Sequence, residues 1–204
     1  MALTLRINML NIVKSISNDS QFLNAFIPFI RQEGLKQEFG ARYIDKILER
    51  LDDGKGKEGK FTGRAGKYSK QYIKSEAFRA YGKDPDTVNL KLSGSMRADI
   101  SVVDTYTTGV IIGFIDPEQE QKALGHIRGR RKLPKRDFWG LPKQEEEKLM
   151  KEVIREFKDN NLDTVSFEQT NNQENLTEQE TIKILETNIE DQQVDFFIED
   201  FDNG

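Results

Sequence analysis

The charge distribution changes abruptly near Lys158, and this change limits where a folded core can form. Residues 159–204 hold 13 of the 35 Asp and Glu residues but only one of the 31 Lys and Arg residues. The first 158 residues therefore keep 30 basic and 22 acidic side chains, a net charge of +8, against −12 for the remainder. A polar, acidic segment buries too little apolar surface to offset its ordering entropy. We expect one domain at residues 1–158 and a largely extended acidic tail at 159–204, mostly disordered or docked on a partner.

The composition argues against most catalytic and metal sites. The chain has no cysteine and one histidine, so disulfides and thiolate chemistry are excluded. Zinc sites normally need three or four His, Cys or carboxylate ligands, and His126 alone is a poor basis for one. His126 could act as a general base, but a packing or surface role is the favoured interpretation. We expect a protein that is not an enzyme, with no cofactor, no metal and no catalytic residue.

No segment of the sequence is suited to cross a membrane. The apolar stretch from Phe22 to Ile30 is short and contains Pro28, whereas a spanning helix needs about 20 apolar residues. The N-terminus also lacks the pattern of a secretory signal. The sequence therefore predicts a protein made and used in the cytoplasm, without membrane contact.

Apolar spacing predicts several helices. Positions three and four residues apart between Leu35 and Leu51 indicate a helix with one buried face. Further helices are predicted at 9–30, interrupted by Pro28, at 117–127 and from Pro142 to Lys158, where acidic residues precede basic ones. Residues 68–83 favour a short helix or a turn with four aromatic anchors. These anchors are Tyr68, Tyr72, Phe78 and Tyr81.

Alternating apolar residues predict three strands, at 88–92, 100–103 and 110–115. The last two flank a turn at Thr108 and Gly109 and should form a hairpin. Sequential strands are then neighbours in an antiparallel sheet. The predicted fold class is α+β, with a small antiparallel sheet packed with helices.

Two basic segments are candidate contact surfaces. Residues 52–67 contain five glycines and predict a long exposed loop. Part of it has Walker spacing, but Phe61 occupies the position of the magnesium-binding hydroxyl, which argues against a nucleotide loop. In residues 128–141, Phe138 and Trp139 could stack on bases or fill a core. The candidate channel or subunit contacts are Lys55, Lys57, Lys60, Arg64, Arg128, Arg130, Arg131, Lys132 and Lys135.

The acidic tail contains two apolar islands that could dock on a partner. The first follows a capping box formed by Thr177 and Glu180, and the second lies among acidic residues near the C-terminus. The candidate docking residues are Ile182, Leu185, Ile189, Phe196, Phe197, Ile198 and Phe201.

Short segments between Gly34 and Phe157 follow one another in a characteristic order. They read IDKILER, GKYSKQYIKSEAF, VNLKLSGSMRADI, GVIIGF, GHIRGR and PKRDFWGLP, and the region covers about three fifths of the chain. This order resembles the neck and tail-completion proteins of tailed bacteriophages, a group that includes the virion morphogenesis family.

The resemblance implies a structural protein of the virion, assembled in the host cytoplasm. Copies would form a ring, commonly of six, that joins or closes the tail at the capsid connector. The implied partners are other copies, portal, connector or tail-tube proteins, and non-specific DNA in the channel. The residues that it marks as fold-defining rather than catalytic are Leu92, Gly94, Met96, His126, Gly129, Arg136, Phe138 and Gly140.

A nucleic-acid-binding regulator is the alternative interpretation. The basic run from Arg128 to Arg136 would bind phosphates through salt-sensitive contacts. The acidic tail would then act as an intramolecular mimic of DNA and inhibit binding.

We expect a chain truncated after Lys158 to stay folded but to assemble poorly, because the tail is predicted to lie outside the core. Circular dichroism and mass photometry of the truncated and full chains measure the two effects. An unfolded truncated chain would show that the boundary is misplaced.

The regulator interpretation predicts instead that truncation raises DNA affinity steeply and makes it salt-dependent.

Overall fold

Helices surround a small antiparallel sheet, so the predicted α+β class is confirmed. A computed structural model describes residues 2–91, 93–130 and 133–162, with side chains described as far as Glu156. The strands are β1 (Leu5–Asn8), β2 (Lys55–Gly56), β3 (Gly59–Lys60), β4 (Ile100–Tyr106) and β5 (Gly109–Phe114). The helices are α1 (Met9–Ile16), α2 (Ser20–Ile30), α3 (Glu33–Asp52), α4 (Lys70–Ile73), α5 (Glu76–Ala80), α6 (Ser95–Ala98), α7 (Pro117–Arg128) and α8 (Lys143–Leu162).

The main sheet has the strand order β1-β5-β4, with every pair antiparallel. The predicted hairpin is confirmed: Tyr106 pairs with Gly109 across a two-residue turn, and a bulge at Val103 shifts the register. Sequential strands β4 and β5 are neighbours as expected, but the sheet also contains a pair that is not sequential. The N-terminal strand β1, which the sequence did not predict, pairs with β5, and Leu5 lies opposite Ile112.

The predicted strand at 88–92 is wrong. Leu90 has a φ of 54°, a left-handed conformation that an extended strand does not contain. The main-chain N–H of Asn89 bonds to the Tyr68 hydroxyl (3.3 Å) instead of to a neighbouring strand. Val88 is buried by packing alone. Leu92 lies outside the described residues.

Helix α3 forms the centre of the core and confirms the helix predicted at 35–51. Phe39, Tyr43, Ile47 and Leu51 repeat every four residues, and each is at most 1% exposed. On the same helix, a methyl group at Gly40 would lie 2.4 Å from Cγ2 of Val102 in β4. Glycine at this position lets the helix lie directly against the sheet.

The segment predicted as helical at 9–30, with an interruption at Pro28, forms two helices that are separated before Ser20. Asp19 ends the linker between them, because its carboxylate accepts bonds from the main-chain N–H groups of Gln21 (2.9 Å) and Phe22 (3.2 Å) at the start of α2. Pro28 lies inside α2 and does not break it, so the predicted position of the interruption is wrong.

The last helices follow the prediction closely. Helix α7 starts at Pro117 behind the Asp116 cap and ends at Gly129, which has a φ of 70°. The buried stripe of α8 is confirmed at Leu149, Met150, Val153 and Ile154; the side chain of Phe157 lies outside the described residues. Helix α8 continues to Leu162, beyond the predicted end at Lys158.

The prediction that residues 52–67 form a freely exposed loop is wrong. Strands β2 and β3 form a small hairpin within this segment. The Lys57 N–H donates to the Asp137 carbonyl oxygen (2.9 Å), and Arg50 Nη2 donates to the Gly56 carbonyl oxygen (2.5 Å). A methyl group at Gly56 would lie 2.1 Å from the Asp137 oxygen. These contacts require glycine here and attach the hairpin to the segment that precedes α8.

We expect Gly56→Ala to lower the free energy of unfolding by about 1–3 kcal/mol, because the added methyl group must displace main-chain atoms. Gly34→Ala is the control, since nothing lies within 4 Å of its added methyl group and alanine is the better helix former. Urea denaturation measures both. Equal stability of the two variants would contradict the close approach of Gly56 to Asp137.

Candidate functional site

A cleft of about 730 Å³ lies between α7, α4 and the segments that precede α6 and α8. We call it the basic cleft, because five cationic side chains line it. They are Arg64, Lys67, Lys83, Lys122 and Arg136. None of the described residues that line the cleft is an aspartate or a glutamate. The cleft is therefore strongly electropositive.

Arg136 holds the walls of the cleft together. Its side chain donates to the carbonyl oxygens of Ala65 (Nε, 2.8 Å) and Lys67 (Nη2, 3.2 Å), and its main-chain N–H donates to the carbonyl of His126 (2.7 Å). It is 5% exposed, and no ion pair among the described residues includes it. Burial lowers the pKa of its guanidinium from the ordinary value.

Lys83 faces an aromatic cluster on one side of the cleft. Its Nζ lies 5.0 Å from the centre of the Tyr68 ring and donates to the Lys91 carbonyl. Burial lowers the pKa of Lys83, and the positive charges of Arg136 and Arg97 lower it further. Two mutually repelling cations are thus held in one cleft.

The aromatic anchors of residues 68–83 are confirmed in part. The rings of Tyr68, Tyr72 and Phe78 pack together with centroid separations of 5.3–5.4 Å. This cluster joins α4 to α5, so the segment forms two short helices around it. Tyr81 is 55% exposed and is not an anchor.

His126 lies on α7 at the cleft wall, and its Nδ1 is buried without a hydrogen-bond partner among the described residues. Burial lowers the pKa of the ring to about 4, and repulsion from Arg136 and Lys83 contributes. The ring is therefore neutral near pH 7 and a weak proton acceptor, which makes it a poor general base.

Phe138 and Trp139 belong to the core, and the hypothesis that they stack on bases is wrong. Phe138 is 1% and Trp139 8% exposed. The Trp139 ring stacks on Phe114 of β5 at 5.1 Å between centroids. No base could reach either ring without unfolding this part of the core.

The structure places the predicted contact residues in different settings. Arg64 lines the cleft, whereas Lys55 is half-buried and pairs with Asp53 (2.7 Å). Arg131 and Lys132 lie outside the described residues, as do all seven candidate docking residues of the tail. The remaining predicted contacts are exposed and do not line the cleft: Lys57, Lys60, Arg128, Arg130 and Lys135.

Most of the cleft cations were not among the predicted contacts. Lys83 and Lys122 are single lysines in segments of mixed charge, and no local pattern marks them. Lys67 closes the glycine-rich segment, and Arg136 was predicted as fold-defining and, in the regulator interpretation, as part of the phosphate-binding run. These four residues lie in different segments, and the tertiary structure brings them to one cleft. Periodicity and composition do not predict such contacts between distant segments.

Several motif residues occupy constrained positions. Gly94 and Gly140 have φ values of 91° and 115°, which favour glycine. A methyl group at Gly129 would lie 2.9 Å from the main-chain nitrogen of Lys135. Met96 is buried. Four of the described motif residues line the basic cleft: Gly94, Met96, His126 and Arg136.

The chain matches no protein-family model, no curated protein sequence and no solved structure. Within the described residues, no helix is long and apolar enough to cross a membrane. Over the same residues, no cluster of three or more His, Asp and Glu side chains is arranged to hold a metal ion. The cleft and the surface around it are therefore the features of the molecule that indicate a function.

We expect the His126 ring to titrate near pH 4 instead of near 6.5. Since the unfolded chain then binds more protons between these values, the free energy of unfolding falls as the pH drops through this interval. Between pH 7.5 and pH 5 the wild type should lose about 2 kcal/mol more than His126→Gln. Urea denaturation at both pH values measures this loss.

A direct check uses the fact that His126 is the only histidine, so its ring resonances can be followed by NMR during a pH titration. A midpoint near 6.5 would contradict the burial of the ring beside Arg136 and Lys83.

Proposed function

We propose that the protein is a structural component of the head–tail junction of a tailed bacteriophage. Copies of the chain form a ring that joins or closes the tail at the capsid connector. The observation that supports this proposal is the convergence of three sequence motifs on the basic cleft, where they form one structural unit.

The convergence matters because the motifs are individually short and lie far apart in the chain. Gly94 and Met96 come from LSGSM, His126 from GHIRG and Arg136 from RDFWG, and all four line the cleft. The Arg136 N–H bonds directly to the His126 carbonyl oxygen (2.7 Å), which joins the second motif to the third. This arrangement is what the resemblance implies for residues that define a fold.

The β4 edge of the sheet supplies a surface for contacts between copies. Val102 packs on α3 at Gly40, whereas Val103 at the bulge lies over Gly113 and is 42% exposed. Ile115, directly after β5, is 72% exposed. A ring needs a heterologous interface, in which one surface of a copy contacts a different surface of the next. An exposed edge strand with apolar side chains is suited to that role.

A DNA-binding regulator remains the second candidate, because Arg128, Arg130 and Lys135 are exposed at one end of α7. Such cations bind phosphates without reading sequence. The burial of Phe138 and Trp139 removes the base-stacking part of that hypothesis. The same cations fit a ring whose channel contains DNA, so their presence does not separate the two proposals.

We expect the purified chain to form a ring of several copies and Val103→Lys to be mostly monomeric, because the substitution places a charge in an apolar contact. Mass photometry measures the mass, and negative-stain microscopy shows the ring. Tyr81→Lys is the matched control: Tyr81 is also an exposed large side chain but belongs to no strand of the sheet, so this variant should assemble normally.

A wild-type chain that stays monomeric, alone and with a tail or connector extract, would contradict the ring. Equal loss of assembly in both variants would show instead that β4 is not the contact surface.

A further inference from the structure

We infer that the basic cleft binds a nucleoside phosphate, with the phosphate among the cations and the base against the apolar wall. This inference goes beyond the proposed ring and does not depend on it. Three observations support it: the size of the cleft, the buried charge of Arg136, which belongs to no ion pair among the described residues, and the apolar lining.

The volume of the cleft fits a small organic ligand. At about 730 Å³, it lies within the range of roughly 300–1,000 Å³ that is usual for sites of drug-sized ligands. A bare inorganic anion would fill only a small part of this space.

The charge of the cleft favours an anion, as a comparison of Arg136 with Arg97, a buried arginine outside the cleft, shows. Arg97, 8% exposed, binds Asp52 through both terminal nitrogens (2.5 and 2.9 Å), so its charge is compensated. Arg136, 5% exposed, bonds only to carbonyl oxygens among the described residues. A buried charge without a counter-charge is costly, and a phosphate beside Arg136 and Lys83 would reduce that cost.

Lys122, unlike Arg136, has a carboxylate partner. Its Nζ pairs with Glu118 (2.8 Å) one turn earlier on α7, and Glu118 is itself 73% exposed. The ammonium group still lines the cleft, and Glu118 does not. Glu118 therefore compensates the charge of Lys122, and Arg136 and Lys83 are the cations that a ligand phosphate would meet.

The apolar part of the lining indicates that the ligand carries a planar or apolar body. Tyr68, Tyr72, Leu90, Leu133 and Met96 all contribute to it. Aromatic side chains bind nucleobases by stacking, at about 1–3 kcal/mol per base. The neutral His126 ring also lines this wall.

The test is isothermal titration calorimetry of the full chain at low salt with 5′-AMP, adenosine, inorganic phosphate and an octamer of deoxythymidine. We expect 5′-AMP to bind at least about tenfold more tightly than adenosine or phosphate, because neither of these fills both parts of the cleft.

Two variants test the location. Lys83→Met keeps an apolar side chain over Tyr68 and should weaken 5′-AMP binding about tenfold, since one charge-assisted contact is lost. Lys151→Met removes the same charge from the exposed face of α8 and should change the affinity less than about twofold. Mass photometry of Lys83→Met shows whether assembly is unchanged, which separates this inference from the ring.

The outcomes are distinct. Tight binding of the octamer but not of 5′-AMP, weakened by Lys83→Met alone, would assign the phosphates to a nucleic acid chain. Tight binding of 5′-AMP would assign them to a free nucleotide. Binding of neither, equal binding of 5′-AMP and adenosine, or equal weakening by Lys83→Met and Lys151→Met would overturn the inference.

Discussion

The hydroxyl group of Tyr43 is the contact on which the arrangement of the domain depends. It donates to a carboxylate oxygen of Glu146 in α8 (2.6 Å) and accepts the main-chain N–H of Leu141 (3.0 Å). One side chain of the central helix thus fixes both the start of α8 and the segment before it. Burial, together with the adjacent Glu146 carboxylate, raises the pKa of the phenol, so the group remains a donor across the physiological range. A buried hydrogen bond to a carboxylate is among the stronger ones in proteins.

The position of the basic cleft follows from that contact. The segment that Tyr43 holds at Leu141 continues back to Asp137, which binds the β2–β3 hairpin, and to Arg136, which binds Ala65 and Lys67. The core therefore holds the guanidinium of Arg136 in place, although like charges surround it. The favourable contacts that build the cleft lie in the core and the main chain, while the charges that line it repel one another.

The parts of the fold that the sequence predicted are those specified by neighbouring residues. Helix α3 has an uninterrupted apolar face, α7 has the Asp116–Pro117 start, and the β4–β5 hairpin is closed by adjacent residues. The strand predicted at 88–92 was wrong because alternating apolar residues do not reveal that Leu90 adopts a left-handed conformation, which an extended strand cannot contain. The cleft was missed because Lys83 and Lys122 come together only through tertiary structure, and local patterns carry no signal for that.

The pairing of β1 with β5 affects how the chain folds as it is synthesised. The backbone of Leu5 can pair only after Ile112, about a hundred residues later, has been synthesised. Contacts between residues so far apart in the sequence slow folding. Until β5 leaves the ribosome, the apolar side chains of β1 and α1 have no sheet to cover them, which is the condition that favours aggregation of nascent chains. The N-terminus is thus incorporated late, although it is made first.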